Sequence, residues 1–118
     1  MNKKQKGHLA EYYARMHLRL KGYTIQEKNF ITGKGTTAGE IDIIALKAHR
    51  LIFVEVKERQ TLEGALYSIK PAQRQRIINA AKFYIARHKQ YQKYDIRFDA
   101  VFVSGLKIKH IKNAWQIN

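Results

Sequence analysis

Apolar positions along the chain fall into two rhythms. From Gly7 to Lys21, the residues Leu9, Tyr12, Tyr13, Met16 and Leu20 recur at helical spacing, which predicts an amphipathic helix closed by Gly22. "YTIQEKNFI", Tyr23 to Ile31, then reads as a strand, and the Gly- and Thr-rich "TGKGTTAG" as a flexible loop. Two short runs rich in β-branched residues follow, "EIDIIAL" and "LIFVEVK", separated only by "KAHR". They predict a hairpin turning about Ala48-His49, although that pair is not a favoured turn dipeptide. "ERQTLEGALYSI" keeps no rhythm and reads as a loop or short irregular element. Pro71 opens a second helix running to about Lys89, with Ile77, Ile78, Ala81, Tyr84, Ile85 and His88 as its apolar stripe. "DIRFDAVFVSG" and "LKIKHIKNAWQIN" close the chain as two more strands. The order is αβββαββ, which fits one α/β domain over residues 1–118 with a mixed central sheet flanked by helices.

The hairpin carries an anomaly. Asp42, Glu55 and Lys57 sit inside its two most apolar runs, where an unpaired charge is costly. Side chains alternate faces along a strand, so Glu55 and Lys57 share a face with Phe53, while Ile52, Val54 and Val56 take the other. In the first strand, Glu40 and Asp42 share one face and Ile41, Ile43 and Ala45 the other. A turn about Ala48-His49 sets Asp42 across from Glu55. Like charges held opposite each other repel and call for something positive between them. Lys57 supplies part of it, and a divalent cation supplies more, since carboxylate oxygens suit magnesium. A structural salt bridge from Lys57 to Asp42 or Glu55 satisfies the same pattern, so both readings stand at this point.

Charge narrows the partner. The chain carries 23 Lys and Arg against 9 Asp and Glu, a formal net charge of +14, which points to a polyanion, with nucleic acid ahead of an acidic membrane surface. No apolar run approaches the ~18 residues of a membrane-spanning helix, and the basic start lacks the apolar block of a signal peptide, so a cytoplasmic protein is expected. Without cysteine there is no disulfide, thiolate metal site or Cys nucleophile. The five histidines, His8, His17, His49, His88 and His110, show no metal-ligand spacing and are expected at the surface or in the core. Gly33–Gly39 lacks the Lys-Ser/Thr ending of a nucleotide loop and fits a flap over DNA better. Asp99, inside an apolar strand, is expected to fill a structural role, paired with a nearby Lys or Arg. Tyr23 and Trp115 are expected in the core.

Asp42, then twelve residues, then Glu55-Val56-Lys57 resembles the PD-(D/E)XK nuclease signature. With "LAEYYA", "GYTIQEKNF", "GEIDIIA", "FVEVKER", "AAKFYIA" and "RFDAVFV" in this order, the chain from about Gly7 to Trp115 resembles the YraN-type family of small bacterial nuclease-like proteins. That family is similar to archaeal Holliday-junction resolvases. The resemblance implies a restriction-endonuclease-like fold and a magnesium- or manganese-dependent endonuclease acting on junction or branched DNA. The alternative is a nucleic-acid-binding module that keeps the fold without turnover. By the same resemblance, Asp42 and Glu55 ligate the metal with help from the Val56 carbonyl. Lys57 activates the attacking water, and Glu11 is the acidic residue of the first helix. Two positions depart from the pattern. Ala38 stands where relatives often carry Arg, and Gln73 where Lys is common, leaving Arg74 and Arg76 to contact phosphates. Junction resolvases cut paired strands as dimers, so a homodimer is compatible with the resemblance.

Overall fold

A computed structural model describes residues 1–32 and 39–117. The elements run α1 (Lys3–Leu20), β1 (Thr24–Ile31), β2 (Glu40–Lys47), β3 (Arg50–Glu58), α2 (Pro71–Arg87), β4 (Asp95–Ser104) and β5 (Lys107–Trp115), with 3₁₀ turns at Ala65–Ser68 and Lys89–Tyr91. The expected order holds. The strands form one sheet in the order β1-β2-β3-β4-β5. All neighbours are antiparallel except β3 and β4, which α2 joins as a parallel crossover. The fold is therefore α/β with a mixed five-stranded sheet. Among the described residues, no helix is long and apolar enough to cross a membrane.

Helix α1 begins four residues before the expected start. Asn2 caps it: its Oδ1 accepts from the Gln5 amide at 2.8 Å while Gln5 Oε1 accepts from the Asn2 amide at 2.9 Å. It ends as expected at Gly22, whose φ of +92° suits glycine. There the Tyr23 amide donates to the Leu18 carbonyl and the Gly22 amide to that of Arg19, closing the last turn.

Which face of α1 turns inward differs from the expectation. Ala10, Ala14 and Leu18 are buried, whereas Tyr12, Met16 and Leu20 are 49%, 38% and 83% exposed. Small residues let the helix lie close on the sheet, against Ile43, Ala45, Ile52, Val54, Val56, Val101 and Val103. The opposite face of the sheet packs α2 through Ile77, Ile78, Ala80, Ala81 and Tyr84 against Phe53, Phe98 and Phe102. Tyr23 and Trp115 are buried as expected.

The hairpin turns where the sequence sets it. Ala48 and His49 form the two-residue loop, with Ala48 at φ +55°, and the register pairs Lys47 with Arg50, Ile44 with Phe53 and Ile43 with Val54. One face assignment changes. Ile43 and Ala45 pack under α1, but Ile41 joins Ile44 and Phe53 on the α2 side. The alternation therefore breaks at Asp42, where the paired residues of β2 and β3 also end. Of the expected flap, Gly33–Gly39, residues 33–38 lie outside the described residues.

Candidate active site

Beyond the Ile43–Val54 pair, β2 no longer meets β3 through its main chain. The Val56 amide donates instead to Asp42 Oδ2 at 2.8 Å, so a side chain replaces the ladder and is fixed at the sheet's end. Asp42 lies within electrostatic reach of the Glu55 carboxyl. Glu55 is only 4% exposed. Lys57 Nζ lies 3.7 Å from Glu55 Oε2 and keeps partial access to solvent. The two carboxylates and the lysine thus meet at one point, as the register required.

They form part of the wall of a cavity of about 270 Å³ lined also by Glu11, Gly39, Glu40, Val56, Gln73, Arg76 and Ile77. Helix α1 contributes Glu11, the start of β2 contributes Glu40 and Asp42, the end of β3 contributes Glu55 to Lys57, and α2 contributes Gln73 and Arg76. Gly39 seats β2 against α2. Its amide donates to the Arg76 carbonyl at 3.3 Å, and a Cβ there would come within 3.3 Å of Arg76 Cβ.

Three polar residues of this site escaped the sequence reading as ligand-holding groups. Gln73 Nε2 donates to Glu55 Oε2, a direct contact with a carboxylate. Glu40 adds a further acid. Asn29 stands on β1 with φ +53°. With its amide turned to satisfy both partners, Asn29 Nδ2 donates to Glu11 Oε1 at 2.8 Å and Glu40 Oε1 at 3.3 Å. The two predicted phosphate contacts part company. Arg76 lines the cavity. Arg74 turns away, its Nε donating to the Ile69 carbonyl at 3.0 Å, and its guanidinium stacks over the Trp115 ring.

The sequence matches the model described as "Uncharacterised protein family UPF0102" over residues 10–103. The chain belongs to the UPF0102 family. A UPF0102 protein of Paramagnetospirillum magneticum is 43% identical over 115 residues, covering 97% of this chain and 89% of the relative. One from Methylocella silvestris is 44% identical over 104 residues, covering 88% of this chain and 81% of its own. One from Bradyrhizobium diazoefficiens is 41% identical over 107 residues, covering 90% and 77%. The matched span of this UPF0102 chain contains the whole cavity lining, from Glu11 to Ile77.

Electrostatics set the state of the UPF0102 carboxylates. Burial and the nearby Glu55 carboxyl push Asp42 up to about 8, against the Val56 amide and Lys57, which pull it down. Burial first and then Asp42 also raise Glu40, and Glu11 rises through burial, Asp42 and Glu40. Among the described residues, no three His, Cys, Asp or Glu side chains converge as a ready-made metal cage. The oxygen-only donor set of Asp42 and Glu55, with too little positive charge beside it, nevertheless fits a hard divalent cation.

A pH dependence follows. A carboxyl raised in the folded state gives stability that is fully present below its unfolded value, 3.8 for Asp42, and is lost as pH rises through about 8. Each pH unit inside that window removes up to about 1.4 kcal/mol. In chelator, melting temperature is expected to fall from pH 5 to pH 8. Asp42→Asn keeps an oxygen for the Val56 amide and removes the buried charge, so its melting curve should be flatter and higher at pH 8. Equal slopes for the two proteins would contradict this assignment.

Proposed function

We propose that this UPF0102 protein is a divalent-cation-dependent endonuclease with a restriction-endonuclease-like fold, hydrolysing phosphodiester bonds in junction or branched DNA. One observation carries the reading. Asp42 and Glu55 are forced together at an open cavity, with Lys57 beside Glu55, in a chain whose overall charge is +14. A fold that needed only a salt bridge would gain nothing from the second carboxylate, which raises the first.

Asp42, Glu55 and the Val56 carbonyl would hold magnesium or manganese, which when bound lowers the pKa of coordinated water and offsets phosphoryl charge. The protein's own groups do the rest. The Val56 amide fixes Asp42, and Gln73 fixes Glu55. Lys57 presents a positive donor to the attacking water and to the charge that develops on phosphorus. Arg76, at the mouth, meets the backbone phosphate, a contact that positions a strand without reading its sequence. Asn29 holds Glu11 and Glu40 at the rim.

The alternative, a nucleic-acid-binding module without turnover, draws on Gln73, whose amide already occupies an oxygen of Glu55. A substrate panel decides between them. Junction, flap, single-stranded and duplex DNA are incubated with magnesium or manganese. Cleavage of the junction or flap by the wild type and none by Asp42→Asn supports the nuclease. Binding to the panel without cleavage of any member supports the module.

A further inference from the structure

A second cavity has the opposite character. It measures about 330 Å³ and is lined by His17, Lys21, Tyr23, Lys47, Ile108, His110 and Lys112. Three lysines and two histidines line it, and among the described residues no carboxylate does. It opens at the C-terminal end of α1, where the start of β1, the end of β2 and the middle of β5 meet. Along β2, Lys47 stands roughly 16 Å from Asp42, the rise of about five nucleotides of one strand.

Its basic groups are held in place. Lys47 Nζ donates to the Lys21 carbonyl at 2.7 Å and sits 4.8 Å from the centre of the Tyr23 ring. This fixes an ammonium at the wall and leaves it further protons to donate. The Tyr23 hydroxyl accepts from Arg97 Nη2 at 2.9 Å, which holds the ring in the wall. The His110 ring is set by Asp99, whose Oδ2 lies 2.7 Å from His110 Nε2, and by the edges of the His17 and Tyr23 rings, 6.3 and 5.8 Å away. Asp99 is itself fully buried and also accepts from Arg97 and from the Asn113 amide. The acid that anchors the wall is therefore shielded from the cavity by its own partners.

We infer that this cavity is a binding site for a phosphate group, carried on a nucleic-acid strand or free. Ammonium groups bind phosphate as point charges. Lys21 and Lys112 are exposed, so their replacement tests the site without disturbing the core.

The test titrates the 118-residue chain with inorganic phosphate at constant ionic strength and pH, following the ring protons of His17 and His110 by NMR. Both sets of signals are expected to move saturably. Lys21→Ala/Lys112→Ala should weaken binding about tenfold or more, the scale of a lost hydrogen bond to a charged group. A second arm uses single-stranded oligonucleotides ending in a 5′-phosphate or a 5′-hydroxyl. A stronger response to the 5′-phosphate assigns the site to a strand end, an equal response to an internal backbone phosphate, and a response to inorganic phosphate alone to the free anion. Signals unmoved by all three ligands, or an unchanged affinity in the folded double variant, would overturn the inference. Neither arm contains a divalent cation or reads cleavage, so a failure here leaves the nuclease reading standing, and a failure there leaves this one.

Discussion

Lys57→Ala is expected to lower cleavage by a factor of roughly a hundred or more while leaving the fold and DNA affinity nearly intact. The factor is that of a lost donor aimed at charge developing in the transition state. Affinity, measured in calcium, should hold because the other basic side chains remain to supply it. Stability should change little, because the ammonium is partly exposed and Gln73 still donates to the buried Glu55 carboxylate. Lys57 is 23% exposed and 3.7 Å from Glu55, too far for a tight hydrogen bond. A purely structural salt bridge predicts the reverse, a loss of about 3–5 kcal/mol on exposing Glu55 to a missing partner. Thermal melts run beside the cleavage assay separate the two. A large drop in melting temperature, with no cleavage by the wild type, would leave Lys57 a structural residue.

Asp99→Ala is expected to be the most damaging single change to the fold. The carboxylate is 0% exposed and holds Arg97 Nε and Nη2 at 2.8 Å each, His110 Nε2 at 2.7 Å and the Asn113 amide at 3.0 Å. Its removal strands a guanidinium that is itself largely buried. A loss of about 3–5 kcal/mol follows from leaving one member of a buried pair uncompensated. Urea denaturation at neutral pH measures it, and a loss under 1 kcal/mol would show that water replaces the carboxylate. The pH dependence has the sign opposite to that of Asp42. Burial raises Asp99, but the hydrogen bonds from His110, Arg97 and Asn113 outweigh it and hold the group below its usual value of 3.8. Its stability is present above that value and is lost as pH falls through the folded one.

The acidic centre was legible because strand geometry is simple. Side chains alternate, a two-residue turn fixes the register, and Asp42 and Glu55 then lie near each other whatever else the chain does. The alternation rule failed only at Ile41, beside the carboxylate that replaces a ladder bond. The rotation of α1 was less legible. Apolar residues occupy two sides of that helix, and the larger ones drew the stripe toward Tyr12, Met16 and Leu20, whereas close packing on a sheet favoured Ala10 and Ala14.

A signal that separates Arg76 from Arg74, and sets Gln73 beside it, was present and went unread. Gln73 and Arg76 stand three apart, with Gln73 also four before buried Ile77, so they share the inward side of α2. Arg74 and Arg76 are two apart and cannot face the same phosphate. Arg97 and Asp99, two apart on one strand, were a readable pair of the same kind. Asn29 and the meeting of His17 with His110 had no such signal. The first depends on a positive φ in a strand, and the second on pairing between segments distant in sequence.

The central claim is that Asp42 and Glu55 together hold a divalent cation, which displaces the proton of Asp42. Manganese binding, measured calorimetrically at pH 7 in buffers of different ionisation enthalpy, tests it most directly. The wild type is expected to release close to one proton per cation bound, because Asp42 titrates only at about 8 in the folded protein. Asp42→Asn should bind manganese more weakly and release none. Equal affinity in the two proteins, or binding by the wild type without proton release, would contradict the assignment of this pair as the cation site.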